Sequence, residues 1–423
     1  MRWIIWFLAV AFYYYEFLLR VFPSVMVQEL MEAFSISALM IGNLSAFYFY
    51  AYAPMQLPVG ILTDRYGARN LLTFASLGCG LATIMFAFTH NIWVAQIARF
   101  IIGAGSAFGF VGMIYISSHW FSRKKLALLI GVGNSLGMLG AVSGQGPLRE
   151  LIDVFQWRDT LFYFGVAGLV LGALIYFLVK NDPPKTKKQK KETHENLKDI
   201  IKGFIIVCKN PQTWVIALAA FFFYTVTTSF AALWSVPYIR TVYQVDDATA
   251  GYAGSMVFLG WIVGGPIIGY FSDKLKRRKP FLLVSTIAAA IMFISILFFT
   301  KSLAWAFVEL FVLGLFLSAQ LLTYSLAIES NPATVKGTAV ALTNFIVFFE
   351  GSLMQPFVGY LLDLNWSGEM KDGIPLYDKG DFQLALSSFI VMLLVAFIFA
   401  LFIKRPKPNR IHQEIPETTT PEN

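Results

Sequence analysis

The segment GILTDRYGAR at residues 60–69 recurs, degenerate but in register, as GYFSDKLKRR at residues 269–278. Each copy ends an apolar stretch and opens a basic turn, and the two aspartates, Asp64 and Asp273, lie 209 positions apart. An offset of 210 aligns three further polar pairs: Asn134 with Asn344, Gln145 with Gln355, and Asp153 with Asp363. A repeat of about half the chain length indicates a duplicated membrane protein with a solute path between its halves.

The composition indicates that this chain lies in lipid. Its residues are 57% hydrophobic and 14% charged, and the mean hydropathy is +0.64, so a soluble fold would expose far too much apolar surface. The net charge of +8 lies in loops between apolar segments, and we predict no nucleic-acid partner. Cys79 and Cys208 are too few for a disulfide framework or a metal site, and no cofactor is predicted.

Twelve apolar segments reach the roughly 20 residues that a spanning helix needs, six in each half, and one of them runs from 38 to 62. With the N-terminus inside, 25 of the 33 Lys and Arg residues fall on the cytoplasmic side, 6 fall outside, and Arg20 and Arg99 lie within the membrane. The positive-inside rule therefore predicts that both chain ends are cytoplasmic.

The sequence predicts four regions. An N-terminal six-helix bundle at 1–180 and a C-terminal bundle at 211–403 are joined by a cytoplasmic linker at 181–210, and a disordered tail follows at 404–423. The first part of the linker is rich in proline and lysine and predicts a mobile basic segment. Its second part places apolar residues at helical spacing from Leu197 to Cys208, which predicts an amphipathic helix on the membrane surface.

The repeated loop motif, together with RFIIGAGSA at residues 99–107, resembles two signature motifs of the major facilitator superfamily. The resemblance covers essentially the whole chain. It implies an all-α membrane protein of twelve transmembrane helices in two pseudo-symmetric six-helix bundles. It also implies a secondary transporter that works by alternating access, with the first, fourth, seventh and tenth helices lining the cavity.

The opening segment, residues 13–26, resembles a bacterial branch of that superfamily that includes intraphagosomal amino-acid and nucleoside transporters, and it is similar to a lysosomal dipeptide carrier. Organophosphate antiporters also carry an arginine on the first helix. They would be expected to place a second arginine inside the seventh helix, whereas Arg240 falls at the outer end of that helix here.

Five charged residues lie within apolar segments, where each costs about 2.5 to 3.5 kcal/mol at mid-bilayer unless it faces water or a partner. They are Glu16, Arg20, Arg99, Glu309 and Glu350. Glu16 and Arg20 are spaced i, i+4 on one helix and can pair, with Tyr13 along the same stripe. The pair is either a substrate contact, which we favour, or a self-neutralised structural element.

The offset of 210 also relates Arg99 to Glu309, which predicts opposite charges at equivalent depths on the fourth and tenth helices. The two side chains either meet or flank the cavity. Alternatively, Arg99 holds the fourth helix against its own half through backbone carbonyls. The proton-coupling candidates are Glu16, Arg99, Glu309 and Glu350.

The remaining substrate-binding candidates are amides and aromatic residues. Each amide pair is 11 residues apart and shares one helix face, and amides suit a polar zwitterion or a nucleoside; the alternative is hydrogen bonding between helices. The candidates are Asn134, Gln145, Asn344 and Gln355, together with Tyr224, Trp234, Tyr324 and Phe348.

The repeated motif is interpreted as a gate, because its aspartate can cap a neighbouring helix N-terminus and pair with loop cations. A plain topological marker is the alternative. The gating candidates are Asp64, Arg65, Arg69, Asp273, Lys274 and Glu329.

The predicted function is proton-coupled import of an amino acid, a short peptide or a nucleoside across a bacterial inner membrane, by a monomer whose partners are the solute, protons and lipid. Uniport, drug export and antiport of an organic anion or organophosphate remain open. A membrane enzyme or a receptor is disfavoured. Four scattered histidines do not form a catalytic cluster, and the outer loops are too short for a ligand-binding domain.

Overall fold

The computed structural model describes residues 1–183, 197–299, 301–371 and 373–404. In lipid, only intrahelical hydrogen bonds satisfy the backbone of a long apolar run, so such runs become helices. Within the described ranges, eleven helices are long and apolar enough to cross a membrane, and twelve if the bent pair Val27–Phe34 and Ala38–Met55 counts as one span. The predicted all-α membrane fold of two six-helix bundles is confirmed.

The membrane helices are labelled TM1 to TM12 in chain order. The N-terminal half contains TM1 Arg2–Val25, TM2 Ala38–Met55, TM3 Ala68–Phe88, TM4 Ile92–Trp120, TM5 Lys124–Ser143 and TM6 Trp157–Leu178. The C-terminal half contains TM7 Pro211–Tyr243, TM8 Asp247–Leu275, TM9 Arg278–Phe299, TM10 Leu303–Glu329, TM11 Ala333–Asn365 and TM12 Lys379–Leu401. Shorter helices cover Val27–Phe34, Val59–Tyr66, Gly146–Phe155 and Leu197–Lys209, and strands Met370–Lys371 and Ile374–Pro375 pair antiparallel.

The two ends of the bundle differ in charge. TM1 begins at the end that carries the repeated motif with its arginines and lysines, which we call the basic end. The opposite end, which carries Glu29, Glu32, Asp246 and Asp247, is the acidic end.

Polar side chains cap the N-termini of several membrane helices. Asn91, Asn210, Asp246 and Ser302 each accept a hydrogen bond from a backbone N–H two or three residues further along. These caps satisfy N–H groups that the first turn of a helix leaves without partners.

Several membrane helices depart from regular α geometry, among them TM2, TM7 and TM9. The segment predicted as one helix from 38 to 62 ends at Met55 and restarts at Val59, because Pro54 and Pro58 remove backbone donors at the break. TM7 is π-helical over Val226–Trp234, and TM9 is π-helical over Ser295–Phe299. Such π turns leave carbonyl groups free for side-chain donors.

The predicted linker helix is present over Leu197–Lys209. Its Val207 is buried against Val335 and Ala339 at the start of TM11, whereas Ile201 and Ile205 are exposed. The proline- and lysine-rich segment before it and the tail after 404 lie outside the described residues.

The halves meet along two seams, TM2 with TM11 and TM5 with TM8. In the TM2–TM11 seam, a Cβ added to Gly359 would lie 2.2 Å from the carbonyl oxygen of Ala38, and one added to Gly42 would lie 2.4 Å from that of Gln355. The absence of side chains lets these backbones approach closely, as is usual for helix pairs in membranes.

The TM5–TM8 seam is the less extensive of the two, and it includes both TM5 and the short helix Gly146–Phe155 that follows it. Its close contacts join residues 145–150 to residues 251–254: a Cβ on Gly251 would lie 2.9 Å from Gly146 Cα, and Tyr252 donates a hydrogen bond of 2.8 Å to Glu150. Towards the basic end, a Cβ at Gly60, Gly131 or Gly337 would meet no heavy atom within 4 Å. The closest contacts between the halves along this seam are therefore at the acidic end.

Candidate functional site

Glu16 and Arg20 lie on TM1 and are almost completely buried, with exposed fractions of 0% and 4%. Arg20 Nη2 donates to both Glu16 oxygens, at 3.0 and 3.2 Å. Tyr48 on TM2 donates to Glu16 at 2.9 Å and accepts from Arg20 Nε at 3.2 Å. The i, i+4 pair that the sequence predicted is thus formed, and Tyr48 completes a three-membered polar cluster.

Aromatic rings surround the Arg20 guanidinium, whose Cζ lies 4.2 Å from the ring centroid of Phe17, 4.7 Å from that of Tyr52 and 5.3 Å from that of Phe348. Cations at such distances are attracted to aromatic faces. Phe348 belongs to TM11, so Arg20 sits where the two halves meet. Tyr224 on TM7 extends the aromatic wall, with its centroid 5.4 Å from that of Phe348.

The Arg99 side chain binds backbone carbonyl groups of its own half. Its guanidinium is fully buried and donates to the carbonyl oxygens of Leu19 at 2.6 Å, Arg20 at 3.3 Å and Ser45 at 3.3 Å. Carbonyl groups are natural acceptors for a planar guanidinium with five donors. These contacts fit the alternative in which Arg99 holds TM4 against TM1 and TM2 of its own half.

The structure shifts the predicted equivalence of Arg99 and Glu309 by one residue. A Cβ on Gly103 of TM4 would lie 2.0 Å from the carbonyl oxygen of Tyr48, and one on Gly314 of TM10 would lie 2.0 Å from that of Val257. These matching contacts align TM4 with TM10 at an offset of 211, so the counterpart of Arg99 is the buried Leu310. Glu309 instead accepts a hydrogen bond of 2.7 Å from Ser295 on TM9.

Glu350 on TM11 is a second carboxylate that is completely buried. Ser229 on TM7 donates to its Oε2 at 3.4 Å, and its Oε1 has no hydrogen-bond partner among the described residues. Ser229 stands 209 positions after Arg20, within the range of offsets from 209 to 211 that relates the two halves. The C-terminal half therefore offers a hydroxyl and a carboxyl where the N-terminal half offers a guanidinium.

The asparagines of the two predicted amide pairs have equivalent partners, since each accepts a hydrogen bond from a tyrosine. Tyr13 donates to Asn134 at 3.2 Å in the N-terminal half, and Tyr324 donates to Asn344 at 2.6 Å in the C-terminal half. Asn344 also crosses the TM2–TM11 seam and donates to Gln56 at 2.8 Å. The asparagines thus form hydrogen bonds between helices, the alternative that the sequence left open.

The two glutamines bind the π-helical segment of TM7. Gln145 donates to the Ala231 carbonyl at 2.7 Å, and Gln355 donates to the Thr228 carbonyl at 2.7 Å. Trp234 in turn donates to the Gln355 backbone oxygen at 3.2 Å. The amides therefore satisfy carbonyl groups of the π-helical segment, and Gln145 ties TM7 to the opposite half.

The gating candidates at the basic end contact only their own halves in the described ranges. Asp64 is exposed; partial burial raises the pKa of its carboxyl, and His119 opposes that shift. Arg278 pairs with Asp273 at 3.2 Å and with Glu329 at 2.5 Å.

The other three gating candidates contact aromatic residues of their own half. The Arg65 guanidinium lies over the Tyr66 ring, and Lys274 Nζ lies over Tyr270. Arg69 donates to the Tyr176 carbonyl at 2.9 Å. No cap across the halves is formed by the motif here.

Gly67 fixes the shape of this motif. Its φ is +77°, and a Cβ there would lie 2.2 Å from the Asn181 side chain, which accepts a hydrogen bond of 2.8 Å from the Arg69 N–H. Only glycine fits that position without strain.

An ion-pair network covers the acidic end. Arg149 pairs with Glu29 and Asp153 of its own half and with Asp247 of the other half, the last at 3.6 Å. Arg240 pairs with Asp247 at 3.3 Å. Below this network lies a cavity of about 580 Å³ lined by Ser24, Gln28, Trp234, Arg240 and Tyr377 among others. Ser24 is one helical turn from Arg20, so little protein separates this cavity from the buried cluster.

Comparison with known proteins identifies the family. The family model of the Major Facilitator Superfamily matches residues 5–356. The chain belongs to the major facilitator superfamily. It is a transporter and not an enzyme.

Solved structures of this family share the fold. A bacterial homologue of the human lysosomal transporter Spinster, inward-facing and unoccupied, is 18% identical with a TM-score of 0.74, and the match covers 95% of this chain and 96% of that one. A mutant of the nucleoside transporter NupG is 13% identical with a TM-score of 0.73, covering 94% and 100%.

Relatives in sequence carry names of anion transporters. Putative glycerol-3-phosphate transporter 2 of Arabidopsis thaliana is 23% identical over 77% of this chain and 72% of its own length. The probable sulfoacetate transporter SauU of Cupriavidus necator is 22% identical over 85% and 86%. A probable hexose phosphate transport protein of Chlamydia trachomatis is 21% identical over 89% and 84%.

Sequence reasoning missed Tyr48, Tyr52, Gln56 and Ser229. The two tyrosines lie in the aromatic run FYFYAY at residues 47–52, which looks like lipid-facing sequence. The 209 offset from Arg20 was the one available signal for Ser229.

Proposed function

We propose that this transporter carries a small organic anion with one carboxylate, sulfonate or phosphonate-type group, and that Arg20 binds this group. The observation that carries the proposal is the placement of Arg20: a buried guanidinium on TM1, enclosed by rings from both halves. A guanidinium forms two parallel hydrogen bonds to a planar or tetrahedral oxyanion. The names of the sequence relatives support an anion in preference to a neutral nucleoside.

A single bound charge fits the site better than a doubly charged phosphate ester. Arg240 is the only cation in the sequence of TM7, and it pairs with Asp247 at the acidic end. At offsets of 209 to 211 from Arg20 the chain has Ser229, Phe230 and Ala231, none of which is a cation. Arg99 is fully buried and donates three hydrogen bonds to backbone carbonyls of its own half.

Glu16 is the proposed proton site. An anion that takes over the Arg20 guanidinium displaces Glu16 from its partner, and uptake of one proton by Glu16 then keeps the net charge of the cluster unchanged. Anion and proton would move together, as a symport. Tyr48 bonds both members and keeps the free carboxyl hydrogen-bonded during the exchange.

A second candidate is a zwitterion such as an amino acid, and Glu350 favours it. Its Oε1 is buried and has no partner in the described part of the chain, so it offers an acceptor for a substrate ammonium group. Glu350 accepts a hydrogen bond from Ser229 of TM7, and Phe348, which contacts Arg20, packs against Tyr224 of TM7, so both charges of such a ligand would be met beside TM7.

The test is uptake by purified protein in proteoliposomes, with matched pairs of monocarboxylates and their 2-amino derivatives, sulfoacetate and glycerol 3-phosphate. We expect saturable, pH-driven uptake of a singly charged anion in wild type, and loss of pH dependence in Glu16→Gln with binding retained. Preference for the amino derivative, lost in Glu350→Gln, would favour the zwitterion. Uptake of glycerol 3-phosphate alone would contradict the single-charge proposal.

We further propose that the protein is a monomer in a bacterial inner membrane with the basic end in the cytoplasm, which the 25-to-6 distribution of Lys and Arg supports. Labelling of Lys188→Cys should occur in inside-out vesicles. Labelling from outside intact cells would overturn this orientation.

A further inference from the structure

At the acidic end, a carboxylate of one half caps a helix of the other. Asp363, in the last turns of TM11, accepts hydrogen bonds from the Ser37 hydroxyl at 2.6 Å, the Ala38 N–H at 3.2 Å and the Leu39 N–H at 3.0 Å. These are the first groups of TM2, which the Ser37 side chain itself does not cap. A carboxylate at a helix N-terminus gains from both the free N–H groups and the helix dipole.

Tyr377, in the loop that follows the short hairpin, completes this arrangement. Its hydroxyl donates to Asp363 and accepts from the Ala38 N–H at 3.1 Å. Burial raises the pKa of Tyr377, and the hydrogen bond to Asp363 raises it further, so the phenol remains a donor at neutral pH. With its ring buried, the tyrosine excludes water from one side of the carboxylate.

We propose that Asp363 is a clasp that keeps the TM2–TM11 seam shut at the acidic end, and that transport requires its release in every cycle. Alternating access opens the two ends of the path in turn. The hydrogen bonds that Asp363 accepts from Ser37, Ala38 and Leu39 join the two halves, so they cannot persist once TM2 and TM11 part at this end. The clasp acts on the halves and is independent of which solute Arg20 binds.

The internal repeat supplies a matched control. Asp153, which the offset of 210 relates to Asp363, ends the helix that continues TM5. Its carboxylate pairs with Arg149 on the same helix at 2.8 Å and caps no helix of the other half in the described ranges. The two aspartates occupy equivalent places in the repeat, but only Asp363 forms direct hydrogen bonds to the opposite half.

The clasp is testable by distance measurement between spin labels at Glu32→Cys and Ser367→Cys, two exposed positions on either side of the seam, in a background without Cys79 and Cys208. In Asp363→Asn, the loss of charge-assisted bonds should raise the ratio of long to short distances roughly tenfold. Asp153→Asn should leave the distance distribution as in wild type. The same labels should report the long distance transiently when wild type turns over solute.

Two milder variants keep the proposal falsifiable if Asp363→Asn fails to fold. Ser37→Ala and Tyr377→Phe each remove one donor and leave the carboxylate, so each should shift the distances in the same direction by roughly threefold. An unchanged distribution in all three variants, or an equal shift in Asp153→Asn, would overturn the clasp.

Discussion

The two seams between the halves are built differently. TM2 and TM11 stay in contact from Asp363 at the acidic end to the hydrogen bond between Gln56 and Asn344, and the contacts are glycines, rings and neutral polar groups around one carboxylate. TM8 packs against TM5 and against the short helix that follows TM5, and at the acidic end ion pairs to Arg149 add to this contact. Both seams are thus closed at the acidic end, and they differ in what closes them: hydrogen bonds around a carboxylate in the long TM2–TM11 seam and ion pairs in the short TM5–TM8 seam.

The largest expected effect comes from forcing the long seam apart. Gly359→Leu places a side chain where even a Cβ would lie 2.2 Å from the Ala38 carbonyl, and overpacking of this kind costs about 1–3 kcal/mol. We expect uptake to fall roughly a hundredfold in proteoliposomes. Gly337→Leu on the same helix, at a position with nothing within 4 Å, should transport like wild type. If both variants transport equally well, close packing of the seam is dispensable.

Arg20 is enclosed by Tyr52 of TM2 and Phe348 of TM11, the two helices of the long seam. Arg20→Gln removes the guanidinium and should weaken binding of an anionic solute roughly tenfold to a hundredfold, whereas Arg20→Lys keeps the charge, loses the paired geometry and should weaken it less. Thermal-shift titration measures both affinities. Equal affinities in wild type and Arg20→Gln would exclude Arg20 as the anchor.

The hydrogen bond between Asn344 and Gln56, at the end of the long seam nearer the basic end, should have a smaller effect on uptake. Asn344→Ala removes the bond to Gln56, and hydrogen bonds between membrane helices contribute about 0.6 kcal/mol on average, or roughly a threefold change. Uptake should change by about that factor. Asn134→Ala, its counterpart within the N-terminal half, tests whether the effect comes from the seam, because that asparagine bonds Tyr13 and does not cross it.

The smallest effect should come from the short seam, and it should depend on salt. Arg149→Gln removes the ion pair to Asp247, and partly exposed pairs contribute about 0–1 kcal/mol. Distances between spin labels at Val154→Cys and Gln244→Cys should lengthen slightly in low salt and match wild type at high ionic strength. The long seam should not respond to salt. If the distance between the labels at Glu32→Cys and Ser367→Cys also changed with salt, the two seams would not differ in the way proposed.

Much of the fold follows from the sequence because lipid imposes it. Twelve apolar segments and a half-length repeat leave few architectures, and the i, i+4 spacing of Glu16 and Arg20 puts both on one face of TM1. What the sequence cannot supply is the partner of each polar group across helices. From the sequence, Arg99 is a candidate charge in the cavity, whereas in the structure its hydrogen-bond acceptors are backbone carbonyls.

The gating candidates also show that a sequence does not reveal the partner of a polar group. The motif aspartate Asp64 looked like a helix cap, yet the cap across the halves is made by Asp363, whose place in the repeat was visible but whose distance from Ser37 was not. A cap depends on which helix end lies opposite, and that is decided by the way the halves pack. The offset between the halves also varies along the chain: Gly103 and Gly314, which make equivalent contacts, lie 211 positions apart, whereas Asn134 and Asn344 lie 210 apart.

The π turn Ser295–Phe299 forms the last five residues of TM9, at the acidic end of the bundle. The last carbonyl groups of a helix have no partner within it. Here the Ile296 and Leu297 carbonyls accept hydrogen bonds from Tyr238 on TM7 and Gln383 on TM12, at 2.9 and 2.5 Å. The backbone of TM9 thus anchors two neighbouring helices of its own half at the end of the bundle where Asp363 joins the two halves.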